Sequence, residues 1–158
     1  MKVRVKDVMI PDAKFCRPDD NVAQAVAIMW NAGCGALPVL DGSDRLCGMI
    51  TDRDIAIALG TRNLRAADVR VADVAPPRYF GCRAGDDIHT ALRTMTAQEV
   101  RRLPVVDEKG RLAGMLSIDA IILHAKAGSA INYPEVISTL RAICAHREHK
   151  EAELATIA

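Results

Sequence analysis

The feature that most constrains this chain is an internal repeat. A shift of 66 residues places Val5 on Val71, and the two copies then align without a gap. A repeat of this kind indicates one supersecondary unit built twice. We therefore predict two domains, residues 1–62 and 63–128, followed by a helical extension at residues 129–158. The identical pairs include Val5/Val71, Asp7/Asp73, Val8/Val74, Pro11/Pro77, Cys16/Cys82, Arg17/Arg83, Asp20/Asp86, Ala25/Ala91, Met29/Met95, Leu37-Pro38-Val39/Leu103-Pro104-Val105, Asp41/Asp107, Arg45-Leu46/Arg111-Leu112, Gly48-Met49/Gly114-Met115 and Ile55/Ile121.

Each copy has the pattern of a β-α-β-β-α unit. A short strand near residues 15–16 or 80–82 precedes a first helix, which begins after aspartates that suit a helix start. Two apolar strands joined by an Asp/Gly turn follow. A second helix is predicted over residues 52–59 and 118–127, with residues 61–67 as the linker. The apolar face of the first helix has helical spacing: Val22, Ala25, Val26 and Met29 in one copy, Ile88, Ala91, Leu92 and Met95 in the other.

One such unit is too small to bury a large core. We therefore predict an α/β (α+β) fold in which two units pack sheet to sheet with pseudo-twofold symmetry, plus a C-terminal helix. That helix begins at Tyr133-Pro134, and two roles for it stay open: it covers an oligomer surface, or it closes the core of its own chain. Its predicted apolar face holds Val136, Ile137, Leu140, Ile143 and Cys144.

Composition excludes several classes of partner. Half of the residues are apolar but only 3% are aromatic, and the net charge is +1, so stacking platforms and basic patches for nucleic acid are missing. No apolar run is long enough for a membrane span, and the N-terminus lacks a signal-peptide pattern. The sequence predicts a soluble, cytoplasmic protein with no nucleic-acid or membrane partner. Its five cysteines have no CxxC spacing, which favours reduced thiols.

Both copies resemble cystathionine β-synthase (CBS) domains, and the pair resembles a stand-alone Bateman module of the small bacterial signalling type. The resemblance covers about residues 3–126. Its markers are Asp-Val-Met at residues 7–9, the Leu-Pro-Val strand in each copy, and the Gly-Met-Ile-Thr-Asp-Arg-Asp-Ile stretch at residues 48–55. Each marker is weak alone, but their duplication in the same order is specific.

The resemblance implies an adenosine-containing ligand in the cleft between the units: AMP, ADP or ATP first, with NAD or S-adenosylmethionine as alternatives. It implies that Asp54 accepts hydrogen bonds from ribose and that Thr51 contacts ribose or phosphate. Three residues apart at a helix start, these two side chains share one face, although such residues are also ordinary helix caps. The same resemblance assigns phosphate contacts to Arg101 and Arg102, whose guanidinium groups suit phosphate oxygens. Adenine would lie among Met9, Pro11, Cys34, Gly35, Ala36 and Pro38, with Lys14 and Arg53 adding charge or facing water.

The second copy departs from this pattern. Ser117 is present, but Ala120 stands where an aspartate is needed, and Asp119 is one place early and so about 100° round the helix. Gly35 and Ala36 occupy the positions that match Arg101 and Arg102. We therefore predict one competent site per chain.

Other interpretations remain open at this stage. A dimeric adaptor without ligand competes with a ligand sensor, and either would act through an unknown protein effector and form a homodimer. We predict no enzyme, because the chain has no Walker loop, GxGxxG or HExxH. We also expect no metal; the one candidate is Cys144 with His146 and His149. Cys16 and Cys82 are either small buried hydrophobes or a pair across the pseudo-twofold.

Overall fold

The computed structural model describes residues 2–76 and 78–145. Its helices and strands confirm the predicted mixed α and β fold. The five helices in that part of the chain are α1 Val22–Ala32, α2 Asp52–Arg62, α3 Ile88–Gln98, α4 Ile118–His124 and α5 Tyr133–Cys144. The strands are β1 Ile10–Pro11, β2 Ala36–Leu40, β3 Leu46–Thr51, β4 Cys82–Arg83, β5 Arg102–Val106 and β6 Leu112–Ser117.

Each unit is built on an antiparallel hairpin. β2 pairs with β3 in the first unit, and β5 pairs with β6 in the second, where β1 and β4 complete a four-stranded sheet of order β1-β6-β5-β4. The two hairpins have the same register, with Ala36 opposite Thr51 and Arg102 opposite Ser117. Their turn ends meet, since Arg45 bridges Arg111. The duplication seen in the sequence is therefore a structural pseudo-symmetry.

Two separate hydrophobic clusters form the core. The first contains α1, β2, β3 and α2 side chains such as Leu37 and Ile50, both fully buried. The second contains the matching residues Leu103 and Leu116, also fully buried. Both clusters are aliphatic, as the scarcity of aromatic residues requires.

The segments that precede the two units are exchanged between the cores. Val5 and Val8 pack into the second cluster, and the Val5 amide donates to the Asp86 carbonyl at 2.9 Å. Reciprocally, Val71 packs into the first cluster, and its amide donates to the Asp20 carbonyl at 2.8 Å. Each unit thus folds around a segment from the other sequence repeat.

The α5 helix closes the core of its own chain. It packs against α3 and α4, with Val136 and Thr139 buried. The Thr96 hydroxyl donates to the Thr139 hydroxyl at 3.2 Å. Of the two roles left open by the sequence, core closure is therefore the one that the described residues show.

Some element limits differ from prediction. The α2 helix runs on to Arg62, three residues beyond its predicted end and into the predicted linker, where Asn63 ends it in a left-handed conformation. The α4 helix stops at His124 instead of residue 127. Ile137 was predicted on the buried face of α5 but is 54% exposed. One residue turns a helix by about 100°, which carries Ile137 off the stripe that Val136 and Leu140 form.

Candidate ligand site at the start of the second helix

Thr51 and Asp54 form a reciprocal cap at the start of α2. The Asp54 amide donates to Thr51 Oγ1 at 3.1 Å. In return, the Thr51 amide and hydroxyl donate to Asp54 Oδ2 at 2.9 and 2.6 Å. A Ser or Thr followed by an acidic residue three places on satisfies two otherwise unpaired backbone amides, which is why the helix begins here. The described residues provide no donor to the other carboxylate oxygen of Asp54.

The first hairpin brings Gly35 and Ala36 to this cap. The Asp52 amide donates to the Gly35 carbonyl at 3.1 Å. A Cβ atom at Gly35 would stand 2.6 Å from Asp52 Oδ2, so only glycine fits there without a shift of Asp52. Ala36 lies directly opposite Thr51, and Pro38 lies opposite Met49. Residues directly opposite each other point to the same side of a sheet, and successive residues of a strand point to opposite sides. The side chains of Ala36 and Pro38 therefore point away from the side that carries the core residues Leu37 and Val39.

An open cavity of about 440 Å³ runs along α2 from this cap. Asp54 lies at one end of it, Arg62 at the other, and Val74 forms the facing wall. The Arg62 guanidinium donates to the Asp73 carbonyl at 3.2 Å, which holds it beside this wall. The cavity therefore has a carboxylate at one end, a guanidinium at the other end and an apolar surface between them.

Met9 and Pro11 lie with the second unit. β1 pairs with β6, so that Pro11 is opposite Gly114, and Met9 packs against the second core cluster. The structure therefore does not bring these two residues to the cap of α2. The physical reason is the exchange of segments, which carries residues 3–11 across to the other core.

The counterpart of that segment lies beside the first hairpin instead. A Cβ atom at Gly48 would be 3.6 Å from the Pro76 carbonyl oxygen, and Val74 lines the cavity along α2. Val74, which lines the cavity, Pro76, which lies beside β3, and Arg62 were not named by the sequence analysis. The repeat contained a signal for the first two, because they match Val8 and Ile10, the neighbours of the predicted Met9 and Pro11.

The two arginines of the predicted phosphate site, Arg101 and Arg102, have different surroundings. Arg101 is exposed, and its guanidinium lies 3.8 Å from Cys144 Sγ on α5, while its carbonyl accepts from the Ile118 amide at 2.9 Å. Arg102 is half-buried, lies opposite Ser117 and makes no hydrogen bond or ion pair with a described residue. The structure thus ties Arg101 to its own unit and leaves Arg102 on the sheet face that matches that of Ala36.

The remaining predicted residues lie at the edge of the site. Lys14 and Arg53 are exposed, and neither side chain bonds to a described residue. Cys34 is partly buried and packs against the first core cluster, which removes its side chain from the cap.

The second unit has half of the same cap. Ser117 Oγ accepts from the Ala120 amide at 3.0 Å, as Thr51 does in the first unit. Ala120 has no carboxylate to return the bond, and Asp119 is exposed. The two equivalent helix starts therefore differ in side-chain chemistry, as predicted from the sequence.

Comparison with known proteins identifies the class. The profile of the CBS domain matches residues 5–61 and 71–126. The chain therefore belongs to the CBS domain family and carries two copies of the domain. In the part of the chain that the structure describes, no helix is long and apolar enough to cross a membrane.

Relatives include both enzymes and small proteins. Inosine-5'-monophosphate dehydrogenase of Methanocaldococcus jannaschii is 30% identical over 151 residues, 95% of this chain but 29% of the enzyme's length. The protein YlbB of Bacillus subtilis is 28% identical over 134 residues, which is 82% of this chain and 89% of YlbB.

Two solved structures have the same fold. Hypoxic Response Protein I (HRPI), solved with two coordinated zinc ions, has a TM-score of 0.71 and 30% identity, covering 77% of this chain and 98% of HRPI. CBSX2 of Arabidopsis thaliana, solved in complex with AMP, has a TM-score of 0.67 and 26% identity, covering 77% of this chain and 94% of CBSX2.

The zinc ions of HRPI contradict the expectation that no metal is involved in a protein of this kind. That expectation was wrong, because it was drawn from motif spacing in one sequence, whereas metal ligands are assembled by the fold. Within residues 2–76 and 78–145, no group of three or more His, Cys, Asp and Glu side chains could hold a metal ion. His146 and His149 of the candidate cluster lie outside the described residues, and Cys144 is exposed at the end of α5.

Proposed function

We propose that this chain is a non-catalytic regulatory module that binds an adenosine-containing ligand, AMP, ADP or ATP, at one site per chain. The observation that carries the proposal is the start of α2, where Asp54 has a carboxylate oxygen with no donor among the described residues. Asp54 also lines the open cavity along α2. The AMP complex of CBSX2, a relative with the same fold, supports the choice of ligand.

The chemistry of the cap fits the hydroxyl groups of a ribose. Asp54 already accepts two hydrogen bonds on Oδ2, so its other oxygen is held in place to accept from ribose hydroxyls. The first three amides of α2 and the Thr51 hydroxyl already donate hydrogen bonds within the protein, so a phosphate would have to be met by basic side chains. Ala36 and Pro38, the apolar residues expected beside adenine, are buried in β2 and offer it no open surface.

Two arginines are the candidates for the remaining phosphate charge. Arg102 is half-buried without an ionic partner among the described residues, and Arg62 lines the cavity with Asp54. A guanidinium group forms paired hydrogen bonds with phosphate oxygens, so either residue would strengthen binding of a nucleotide over a nucleoside. Arg101 is left out of the proposed site because its guanidinium lies against Cys144.

The test is calorimetric titration with AMP, ATP, NAD and S-adenosylmethionine. We expect saturable binding of an adenine nucleotide near one per chain. Asp54→Ala should weaken it by about tenfold or more, because a charged hydrogen-bond acceptor is lost. Arg102→Ala should weaken AMP but leave adenosine nearly unchanged.

The control separates ligand binding from helix capping. Gln24 closes the corresponding cap on α1, where the Asn21 amide donates to Gln24 Oε1 at 2.9 Å. Gln24→Ala therefore removes the same kind of cap at a remote helix and should leave affinity unchanged. If no nucleotide binds, or if Asp54→Ala binds as tightly as the unmodified protein, the site is wrong. A ligand-free adaptor would then be the better description.

The proposal includes a homodimer that presents its state to a protein effector. The helix face that α5 covers in the second unit is bare in the first. Trp30 is 85% exposed and Val26 is 43% exposed. Of their counterparts, Leu92 is buried in the second core, and Thr96 is exposed but donates its hydroxyl to Thr139 of α5. An exposed apolar face of this kind is typical of an interaction surface.

A further inference from the structure

The duplication places an arginine at the same position in each unit, and the first of them is fully engaged. Arg17 donates to the Asp41 carbonyl and to Asp44 Oδ1, each at 2.6 Å. Its guanidinium also lies 5.4 Å from the centre of the Phe15 ring. The Asp44 carboxylate raises the pKa of Arg17 above its usual value. Arg17 is therefore a structural residue that ties the start of its unit to the hairpin turn.

The matching arginine, Arg83, has lost the side chains that would hold it. Gly81 stands where the first unit has Phe15, and Gly110 stands where it has Asp44. The backbone amide of Arg83 donates to Asp86 Oδ2 at 2.8 Å, but its guanidinium makes no hydrogen bond or ion pair with a described residue. The second unit thus has the equivalent arginine but lacks the side chains that bind it in the first unit.

A cavity of about 360 Å³ has formed at this place. Its size is that of a small-molecule pocket. The Tyr79 hydroxyl donates to the Leu46 carbonyl at 3.1 Å, which fixes the aromatic ring as one wall. A Cβ atom at Gly81 would be 3.0 Å from the Pro104 carbonyl oxygen, so glycine keeps this wall thin. The lining residues are Leu46, Tyr79, Gly81, Cys82, Arg83, Asp86 and Val106.

We propose that this cavity binds a small organic acid, with its carboxylate or phosphate head on the Arg83 guanidinium and its apolar body against Tyr79 and Val106. A guanidinium fork is the side chain best suited to either head group, and an aromatic wall suits a flat or apolar body. Asp86 brings one negative charge to the rim, and this favours ligands with a single acidic group over polyphosphates.

The cavity is distinct from the nucleotide site proposed above. It lies at the turn end of the hairpins, where the Leu46 amide donates to the Gly110 carbonyl at 3.4 Å. Thr51 and Asp54 lie at the opposite end of β3, and none of the residues lining the two cavities is shared. Because Leu46 belongs to the first unit and Val106 to the second, a ligand here would contact both units.

The test uses phenyl phosphate, benzoate and inorganic phosphate as probes, followed by NMR of the ¹⁵N-labelled protein. We expect saturable shifts of the Tyr79 and Gly81 amides and of the Arg83 Nε–H signal. Phenyl phosphate should bind more tightly than inorganic phosphate, because the ring contributes apolar contact. Arg83→Gln should weaken binding by about tenfold or more.

The decisive variant is Gly110→Asp, which restores the partner that the first unit has and replaces no lining residue. Gly110 has φ +78°, and Asp44 occupies the same left-handed region at φ 58°, so an aspartate is tolerated there. The new carboxylate should capture Arg83 and weaken the probes as strongly as Arg83→Gln does. Arg17→Gln is the matched control and should leave probe affinity unchanged, as should Asp54→Ala, which tests the nucleotide site alone. Shifts that never saturate, or a Gly110→Asp protein that binds like the unmodified one, would overturn the proposal.

Discussion

At the level of single residues, Cys16 and Cys82 show how equivalent positions keep equivalent environments. Cys16 is 1% exposed in the first core cluster and Cys82 is 8% exposed in the second. Burial raises the pKa of each thiol to about 12. Both are free thiols, and each belongs to a different cluster. Of the two roles considered from the sequence, the structure shows two small buried hydrophobes.

This burial predicts selective thiol chemistry. At pH 8 a thiol with a pKa of about 12 is ionised in roughly one molecule in ten thousand, so alkylation is negligible. We expect iodoacetamide to modify the exposed Cys144 and Cys47 in the native protein and to reach Cys16 and Cys82 only after unfolding. Peptide mass spectrometry measures this directly. Modification of Cys16 in the native state at the rate of Cys144 would contradict the burial.

Single residues also mark the limit of sequence-based prediction of the site. The family resemblance assigned Thr51 and Asp54 to the site, and their spacing at a helix start explains why the two side chains meet. The structure places Met9 and Pro11 with the second unit and not at the α2 cap, and the sequence could not show this because four of the seven residues 5–11 recur at 71–77. Val5 matches Val71 and Val8 matches Val74, so either segment suits either core. The sequence therefore does not determine which of the two segments packs in which core.

At the level of elements, the exchanged segments link the two units. The Ile88 amide donates to the Val3 carbonyl at 3.1 Å, and the Val22 amide donates to the Val69 carbonyl at 2.8 Å. These bonds attach each segment to the start of the first helix of the opposite unit. The order of the main elements, the apolar face of α3 and most of that of α1 followed from periodicity. Val26 was predicted on the apolar face of α1 but is 43% exposed, and the strand predicted near residues 15–16 is a single bridge from Cys16 to Val39. The exchange of segments could not be predicted from periodicity, because it depends on the direction that the short connections take and not on their pattern of apolar residues.

The exchange predicts matched losses of stability from distant substitutions. Val5 and Val71 are both fully buried, so Val5→Ala and Val71→Ala should each lower the free energy of unfolding by about 2 kcal/mol. Val26, which is 43% exposed, provides the control, and Val26→Ala should change stability by less than about 0.5 kcal/mol. Urea denaturation measures all three. A Val5→Ala protein as stable as the Val26→Ala protein would show that residues 3–8 do not pack in the second core.

At the level of the whole molecule, the two pseudo-symmetric units differ at the α5 helix, which packs on the second unit. The second unit has a helix layer closed by α5, whereas α1 of the first unit presents the corresponding face to solvent. No charged residue lies within α1, from Val22 to Ala32. A large exposed aromatic side chain on an uncharged helix favours association over solvation. The exposed face of α1 in the first unit, which corresponds to the face covered by α5 in the second unit, is thus available to contact a second copy of the chain.

The proposed dimer can be tested on this face alone. Light scattering of the purified protein should give twice the chain mass of 17.1 kDa. Trp30→Gln should shift the protein toward the monomer by at least about tenfold in dissociation constant, because an interface aromatic often dominates binding. Leu123→Gln is the matched control, since Leu123 is 82% exposed on α4 of the second unit. If Leu123→Gln dissociates the dimer and Trp30→Gln does not, the copies associate through the second unit. If both variants and the unmodified protein have the mass of one chain, the α1 face has another partner and the homodimer is excluded.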